Sequence, residues 1–262
     1  MASVTQTGRL MHLAFRYSIV TIALMCVPII GIGQSLPSVH NQNPVYSSPE
    51  YLVKILMSDD DDLRERTIAA DNNLTGICEM EDQLQVSLLS ATLVKETLSR
   101  ILVVKGPNLT SCETMNIVPM IKQGETWITL GHINFMPKMF YYPRYRVASL
   151  ISPGEQEIVV SNQMVDEGTG ILQNNMTIYK VIENEIKVIF DAPEYLHIAE
   201  PHFTDDQISK YFIQADNLKA SGPKYIDEER VERINGRRFT SYRRYVWENE
   251  LQTFRMEGST PP

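Results

Sequence analysis

The segment His197-Ile-Ala-Glu-Pro-His202 brings together side chains that bind transition metals. A zinc motif on a helix needs its two histidines on one helical face. Here the histidines are five residues apart, and Pro201 interrupts any helix. In an extended chain, positions 197 and 202 point to opposite faces. We therefore predict no metal site and interpret these residues as part of a loop.

Other short motifs also fail the geometry that their chemistry requires. Ser221-Gly-Pro-Lys224 has the spacing of a serine–lysine hydrolase, but Gly-Pro breaks the helix that would bring the lysine beside the serine. Gly168-Thr-Gly170 is too short to form a phosphate-binding loop. Asp59–Asp62 lacks the alternating spacing and central glycine of a calcium loop, so we assign these acids to a helix start. We predict no catalytic residue and no cofactor.

Two stretches that mix aromatic residues with arginine, 140–146 and 237–247, are the candidate ligand surface. Exposed aromatic rings and guanidinium groups make good contact surfaces, by stacking and by forked hydrogen bonds. The alternative is a strand with one packed face whose arginines pair with the abundant acids. The predicted ligand-binding residues are Tyr142, Arg144, Tyr145, Arg146, Arg243, Arg244, Tyr245 and Trp247. Because these stretches are locally basic, the expected partner is an acidic protein segment or a polysaccharide of the cell envelope or exterior.

The first 33 residues have the three parts of a cleavable signal peptide. Arg9 and Arg16 supply positive charge, and no acidic residue occurs before Glu50. The apolar run from residue 19 to 32 is shorter than the roughly 20 residues that span a bilayer. We predict cleavage after Gly33 and a secreted or periplasmic protein that contacts membrane only through this peptide. An uncleaved membrane anchor is the alternative.

Charge and cysteine content narrow the functional classes. The chain has 24 basic and 32 acidic residues; cleavage would remove two arginines, leaving 22 basic residues and a net charge of −10. This balance argues against nucleic acid as a partner, since such binding depends on neutralising phosphates. Cys78 and Cys112 would be the only cysteines left, and in an oxidising compartment we predict that they form a disulfide. Asn73, Asn108 and Asn175 begin N-x-Thr sequons, whose use depends on the host.

The periodicity of the remaining chain predicts a single β-rich domain over residues 48–262. Residues 34–47 are polar and predicted as a linker, and residues 48–72 are predicted to contain two short helices. Period-two alternation and turn signals then predict antiparallel β-units at about 83–131, 145–191 and 224–256. The first two units align at offsets of 57 to 60 residues, and each contains four strands.

The predicted fold class is therefore mainly β, with antiparallel sheets built from repeated four-stranded or hairpin units in a sandwich-like or propeller-fragment-like arrangement. Residues 193–222 are compatible with a short helix or with an irregular crossover.

The leading functional hypothesis is an exported, non-enzymatic binding protein. One alternative is an exported hydrolase whose site is assembled from distant residues, with His132, Asp166, Glu167 and His197 as contributors. Another is a structural component of a secreted assembly.

Overall fold

A computed structural model describes residues 44–74, 84–106, 115–135, 143–166, 171–199, 204–213, 224–234 and 236–258. All of these residues fall within one compact unit, Gln42–Pro262. The structure is mainly β with antiparallel sheets and two short helices, which confirms the predicted fold class. The predicted signal peptide, the cysteines Cys78 and Cys112, and Asn108 lie outside the described residues.

The two predicted helices are present and are capped as their sequences indicate. Helix α1 (Pro49–Leu56) begins at Ser48, whose Oγ accepts a hydrogen bond from the Tyr51 backbone N–H, with proline at the first helical position. Helix α2 (Asp61–Ala70) begins at Asp60, whose Oδ1 accepts from the Leu63 N–H at 3.0 Å. The aspartate run therefore opens a helix, as predicted.

The first sheet contains six strands in the order β1-β5-β4-β3-β2, with β6 pairing with β4. Its strands are β1 (Val45–Tyr46), β2 (Gln85–Ala91), β3 (Ser99–Lys105), β4 (Met115–Gln123), β5 (Thr126–Thr129) and β6 (Ile133–Phe135). Strand β1 pairs with β5 and arises from the end of the segment that was predicted as a linker. Val45 and Tyr46, at the end of the predicted linker, thus belong to the first sheet.

The second sheet contains eight strands, each paired with its neighbours in sequence, from β7 at one edge to β14 at the other. Its strands are β7 (Arg144–Ala148), β8 (Glu157–Asp166), β9 (Ile171–Ile182), β10 (Glu185–Ala199), β11 (Thr204–Ile213), β12 (Tyr225–Ile234), β13 (Arg237–Glu248) and β14 (Thr253–Met256). The third predicted unit is therefore a continuation of the second within one sheet.

The predicted units match these sheets in part, and their equivalence is not confirmed. Strands β2–β5 and strands β7–β10 each form a four-stranded meander. The sequence Glu-Asn-Glu occurs twice, at 183–185 and at 248–250, but the two connections differ. Glu183 and Asn184 form a two-residue hairpin turn with φ values of 54° and 63°. In contrast, four residues separate Glu248 from Thr253, and Asn249 Oδ1 accepts a hydrogen bond from the Trp247 indole N–H.

Residues 193–199 and 204–213 lie in strands, so these described parts of segment 193–222 form neither the short helix nor the irregular crossover with which the sequence is compatible. Strand β10 continues to Ala199, and β11 starts at Thr204 and pairs with both β10 and β12. A bulge between Pro193 and Tyr195 explains how β10 accommodates a proline within the sheet. Thr204-Asp-Asp-Gln207 has the spacing of a helix capping box, but the pairing of β11 on both sides outweighs this local preference for a helix.

Three hydrophobic cores hold the layers together. The first core lies between the sheets and joins residues such as Ile101 and Ile117 to Ile158 and Val160 of β8. The second core lies between the helices and the opposite face of the first sheet, where Leu52 packs near Leu102, Val104 and other strand residues. Each fully buried side chain of this size stabilises the fold by about 1.5–3 kcal/mol.

The third core forms because the second sheet curls back on itself. Strand β14 lies near β10, where the Thr253 hydroxyl donates to the Ile189 carbonyl at 2.9 Å. The Phe190 ring makes edge-to-face contacts with Tyr211, Tyr245 and Phe254. A bulge between Val188 and Phe190 bends β10 at this position.

Asn116 in β4 is fully buried, and neither its Oδ1 nor its Nδ2 finds a hydrogen-bond partner among the described residues. An unsatisfied buried amide costs about 1–3 kcal/mol. We therefore expect Asn116→Leu, which has a similar shape, to raise the free energy of unfolding in urea by about that amount. Asn134, directly opposite on β6 and exposed, is the matched control, and Asn134→Leu should leave stability nearly unchanged. A loss of stability in Asn116→Leu would contradict this expectation.

Candidate binding surface

Six strands of the second sheet extend beyond the three cores, and we call this part the distal half. It comprises residues 162–166, 171–175, 194–199, 204–210, 229–234 and 237–242. None of its residues whose side chains are described belongs to the three hydrophobic cores. The cores are instead filled from the other end of these strands, by residues such as Val160, Ile178 and Ile226. The distal half is thus a paired sheet whose described side chains form no hydrophobic core.

The strand register defines an outer face on β11–β13, opposite the face that carries Tyr211, Ile226 and Tyr245 into the third core. Three cross-strand rows form this outer face: Asp206–Arg233–Arg238, Ile208–Val231–Thr240 and Lys210–Glu229–Tyr242. Ile208 is 46% exposed and Tyr242 is 76% exposed. Apolar and basic side chains therefore alternate on a surface that the described residues leave open to solvent.

The tip of the β12–β13 hairpin is basic, although the whole chain is acidic. Residues 230–241 contain four arginines and one glutamate. The sequence Asn235-Gly236 is typical of a hairpin turn; Ile234 and Arg237 on its two sides pair with each other, and Gly236 has a φ of 75°. Arg237 and Arg238 make no ion pair with any described residue, and beside them Phe239 is half exposed. Among the described residues, no carboxylate neutralises these two guanidinium groups.

A groove of about 290 Å³ lies on the outer face. Its lining combines three cations with one carboxylate and two aliphatic side chains: Asp206, Ile208, Lys210, Val231, Arg233 and Arg238. Asp206 is not free, because its Oδ1 lies 2.5 Å from His197 Nδ1 and its Oδ2 lies 3.7 Å from Arg233. The remaining charge of the groove is therefore positive, which suits an anionic ligand.

A buried polar network separates the distal half from the third core. The Glu228 carboxylate is almost fully buried and accepts hydrogen bonds from Ser209 of β11, Arg230 of β12 and Tyr245 of β13. Burial alone would raise the pKa of Glu228, but these hydrogen bonds outweigh it and hold the pKa below its usual range. The network ties three neighbouring strands together where the hydrophobic packing ends.

Of the predicted ligand residues on β13, two line a surface cavity and two pack inward. Arg243 and Arg244 border a cavity of about 510 Å³ beside the exposed ring of Tyr242. Arg244 is held in place by a forked contact with Asp227, at 2.7 and 3.2 Å, and by stacking over Tyr225.

Tyr245 and Trp247 have a different environment from the two arginines. The Tyr245 hydroxyl donates to Glu228, and burial, followed by this hydrogen bond, raises the pKa of Tyr245. Trp247 is 8% exposed and belongs to the third core. The geometry gives these two rings a packing role.

The other predicted stretch lies on β7, at the opposite edge of the second sheet. Arg144 and Arg146 are exposed there, whereas Tyr145 packs against the first core. Tyr142 lies outside the described residues. Sheet order places β7 at one edge and β13 next to the other, so the two stretches do not adjoin within the sheet.

The two histidines considered for a distributed hydrolase site belong to different parts of the fold. His132 is in the connection between β5 and β6, and His197 is in β10, where it pairs with Asp206. Asp166 ends β8, and Glu167 lies outside the described residues. The carboxylate partner of His197 was not among the residues predicted to contribute to this site.

Two further features bear on function. Within the described ranges, no group of three or more His, Cys, Asp or Glu side chains is arranged to hold a metal ion. No helix in the same ranges has the length and apolar character needed to cross a membrane. The sequence matches no protein-family model, and comparison with curated proteins and with solved structures gave no match.

Sequence reasoning missed the groove and the importance of Arg237 and Arg238. The strand signal over 237–247 and the Asn-Gly turn could have placed both arginines at a hairpin tip. The partnership between His197 and Asp206 depends on β10–β11 pairing across residues 200–203, and that pairing has no local signal. The groove therefore depends on a strand order that local sequence signals do not predict.

Proposed function

We propose that this protein is an exported, non-enzymatic binding protein whose distal half takes an anionic partner on β11–β13. The observation that carries the proposal is the pair Arg237 and Arg238, which lack an ion pair among the described residues and lie beside the exposed side chains Phe239 and Tyr242. Export rests on the N-terminal sequence, which has the composition of a signal peptide.

Two features of the surface support binding. Exposed aromatic and arginine side chains are the residue types that dominate binding energy at interfaces. The protein has a net charge of −8, so most of its surface repels an anionic ligand, whereas this positive surface attracts it. The distal half contributes no described side chain to a hydrophobic core, so packing among the described residues does not account for its exposed apolar side chains, such as Ile208 and Phe239.

The test is binding of two anionic polymers, poly-L-glutamate and polygalacturonate, with neutral dextran as the blank. We expect at least one polymer to bind the mature protein and to bind about tenfold more weakly to the double variant Arg237→Glu/Arg238→Glu. Calorimetry at low ionic strength and at about 0.15 M salt measures both the affinity and its screening.

The matched control is Arg144→Glu/Arg146→Glu, which changes the net charge equally at the opposite edge of the sheet. We expect this variant to bind as the wild type does. Equal loss in both double variants would show that only net charge matters and would overturn the proposal. Absence of binding to both polymers would also overturn it.

A further inference from the structure

The outer edge of β13 is open over most of its length in the described structure. Strand β14 pairs with β13 only from Tyr245 to Glu248, and the last contact on this side is the hydrogen bond from the Glu257 N–H to the Arg244 carbonyl, at 2.7 Å. From Arg237 to Arg243, no described strand covers this side of β13. A row of main-chain donors and acceptors therefore faces solvent.

The known hydrogen bonds show which residues supply that row. The Arg244 carbonyl points toward the open side, because it accepts from Glu257, whereas the Trp247 N–H points toward β12 and donates to the Lys224 carbonyl. Along an antiparallel strand, the N–H and C=O groups of successive residues point to opposite sides of the strand. Arg238, Thr240 and Tyr242 therefore direct their N–H and C=O groups to the open edge, where a new strand can pair.

We infer that this edge of β13 accepts an extended acidic peptide of a partner protein as an additional strand, an inference that rests on the proposed function. Strand addition to an exposed edge gives affinity through main-chain hydrogen bonds and specificity through side chains. An incoming strand would meet Arg238 and Tyr242 on the outer face and Arg237, Phe239 and Arg243 on the other. A strand of alternating acidic and apolar residues turns its carboxylates to one face, where an arginine lies, and its apolar side chains to the other, where Phe239 or Tyr242 lies.

Charge favours this occupant over a second copy of the protein and over the two ends of the chain. Pairing of two β13 edges would place Arg237 and Arg238 of each copy near the arginines of the other copy, and like charges opposite each other destabilise a sheet. Residues 1–43 contain no acidic side chain, and residues 259–262 contain none either. The positive charge of these arginines thus disfavours pairing of two β13 edges and favours pairing with an acidic strand.

The test uses an eight-residue peptide of alternating glutamate and valine with blocked termini. Thr240→Pro removes one outward N–H and leaves the β12 hydrogen bonds and all charges in place, while Thr240→Val keeps the N–H. We expect Thr240→Pro to weaken peptide binding about tenfold and Thr240→Val to bind as the wild type does. Circular dichroism verifies the fold of both variants.

A second measurement does not depend on a variant that folds. The same peptide, N-methylated at alternate residues, keeps its charge but cannot complete the ladder, and we expect it not to bind the wild-type protein. Equal binding of Thr240→Pro and Thr240→Val, with loss in Arg237→Glu/Arg238→Glu, would overturn strand addition and leave the proposed function standing. That outcome would favour a ligand held through side chains, as an acidic polysaccharide is. If neither peptide nor polymer binds, both proposals fail.

Discussion

Replacing Lys180 with methionine is expected to lower the free energy of unfolding by about 3–5 kcal/mol, because it leaves a buried carboxylate without its counter-ion. The Lys180 ammonium lies 2.8 Å from Glu155 and 3.0 Å from Glu157, and the Glu157 side chain has no solvent exposure. The second oxygen of Glu157 accepts from the Leu150 N–H at 2.8 Å. Urea denaturation of the wild type and of Lys180→Met measures the difference.

The pH dependence of this loss follows from the pKa directions. Burial raises the pKa of Glu157, and Lys180 offsets this only in part, so removing the lysine should raise that pKa further. A carboxyl whose folded pKa exceeds its unfolded value gains stability as pH falls through the folded pKa. The loss in Lys180→Met should therefore be largest at neutral pH and smaller below about pH 4.3, the unfolded value.

A double variant separates the charge effect from lost packing. Lys180→Met/Glu157→Gln removes both charges and keeps an acceptor for the Leu150 N–H, so it should recover more than half of the lost stability. If Lys180→Met costs less than about 1 kcal/mol, or if the double variant is no more stable than the single one, the ion pair does not stabilise the fold as described.

Replacing Trp247 with alanine is expected to cost about 3–5 kcal/mol of unfolding free energy. The indole ring is 8% exposed, packs edge-on against Phe254 at a centroid distance of 5.3 Å, and donates to Asn249. Its removal would leave a cavity where β13 and β14 meet. Urea denaturation, followed by circular dichroism, measures the cost.

Tyr242 on the same strand provides the control for Trp247. Its ring is 76% exposed, so Tyr242→Ala should change stability by no more than about 0.5 kcal/mol. On the proposed function, Tyr242→Ala should instead weaken binding of the anionic polymer or peptide. Normal stability in Trp247→Ala together with lost binding would identify Trp247 as a ligand contact and contradict its place in the core.

Helix caps, turn residues and period-two alternation in the sequence predicted much of the fold, because the ends of helices and the turns between strands depend on residues close in sequence. Ser48 and Asp60 cap helices, and Gly236, with its positive φ, lies between two paired strands, since few residues satisfy those backbone requirements. Alternation likewise predicted the strands of both meanders. It assigns side chains to two faces but does not indicate what covers each face. The two sides of β3, for example, belong to different cores.

The candidate site was less predictable than the fold. Trp247 and Arg244 are close in sequence and looked equivalent as surface residues, yet the pleat turns Trp247 into the third core and leaves Arg244 exposed. The long reach of β10 and β11 depends on pairing partners and on a bulge at Pro193, not on local propensity. The distal half could therefore be recognised only once the strand lengths and their register were known.

The sequential strand order of the second sheet has a consequence for how the protein folds. Every strand from β8 to β14 pairs with the strand before it, so each pairing closes only a short stretch of chain. Closing short loops costs little entropy, and proteins with such local contacts fold faster than those with distant pairings. The sheet can assemble hairpin by hairpin from its N-terminal side as the chain emerges. Stacking onto the first sheet and the curling of β14 onto β10 then follow as later, longer-range steps.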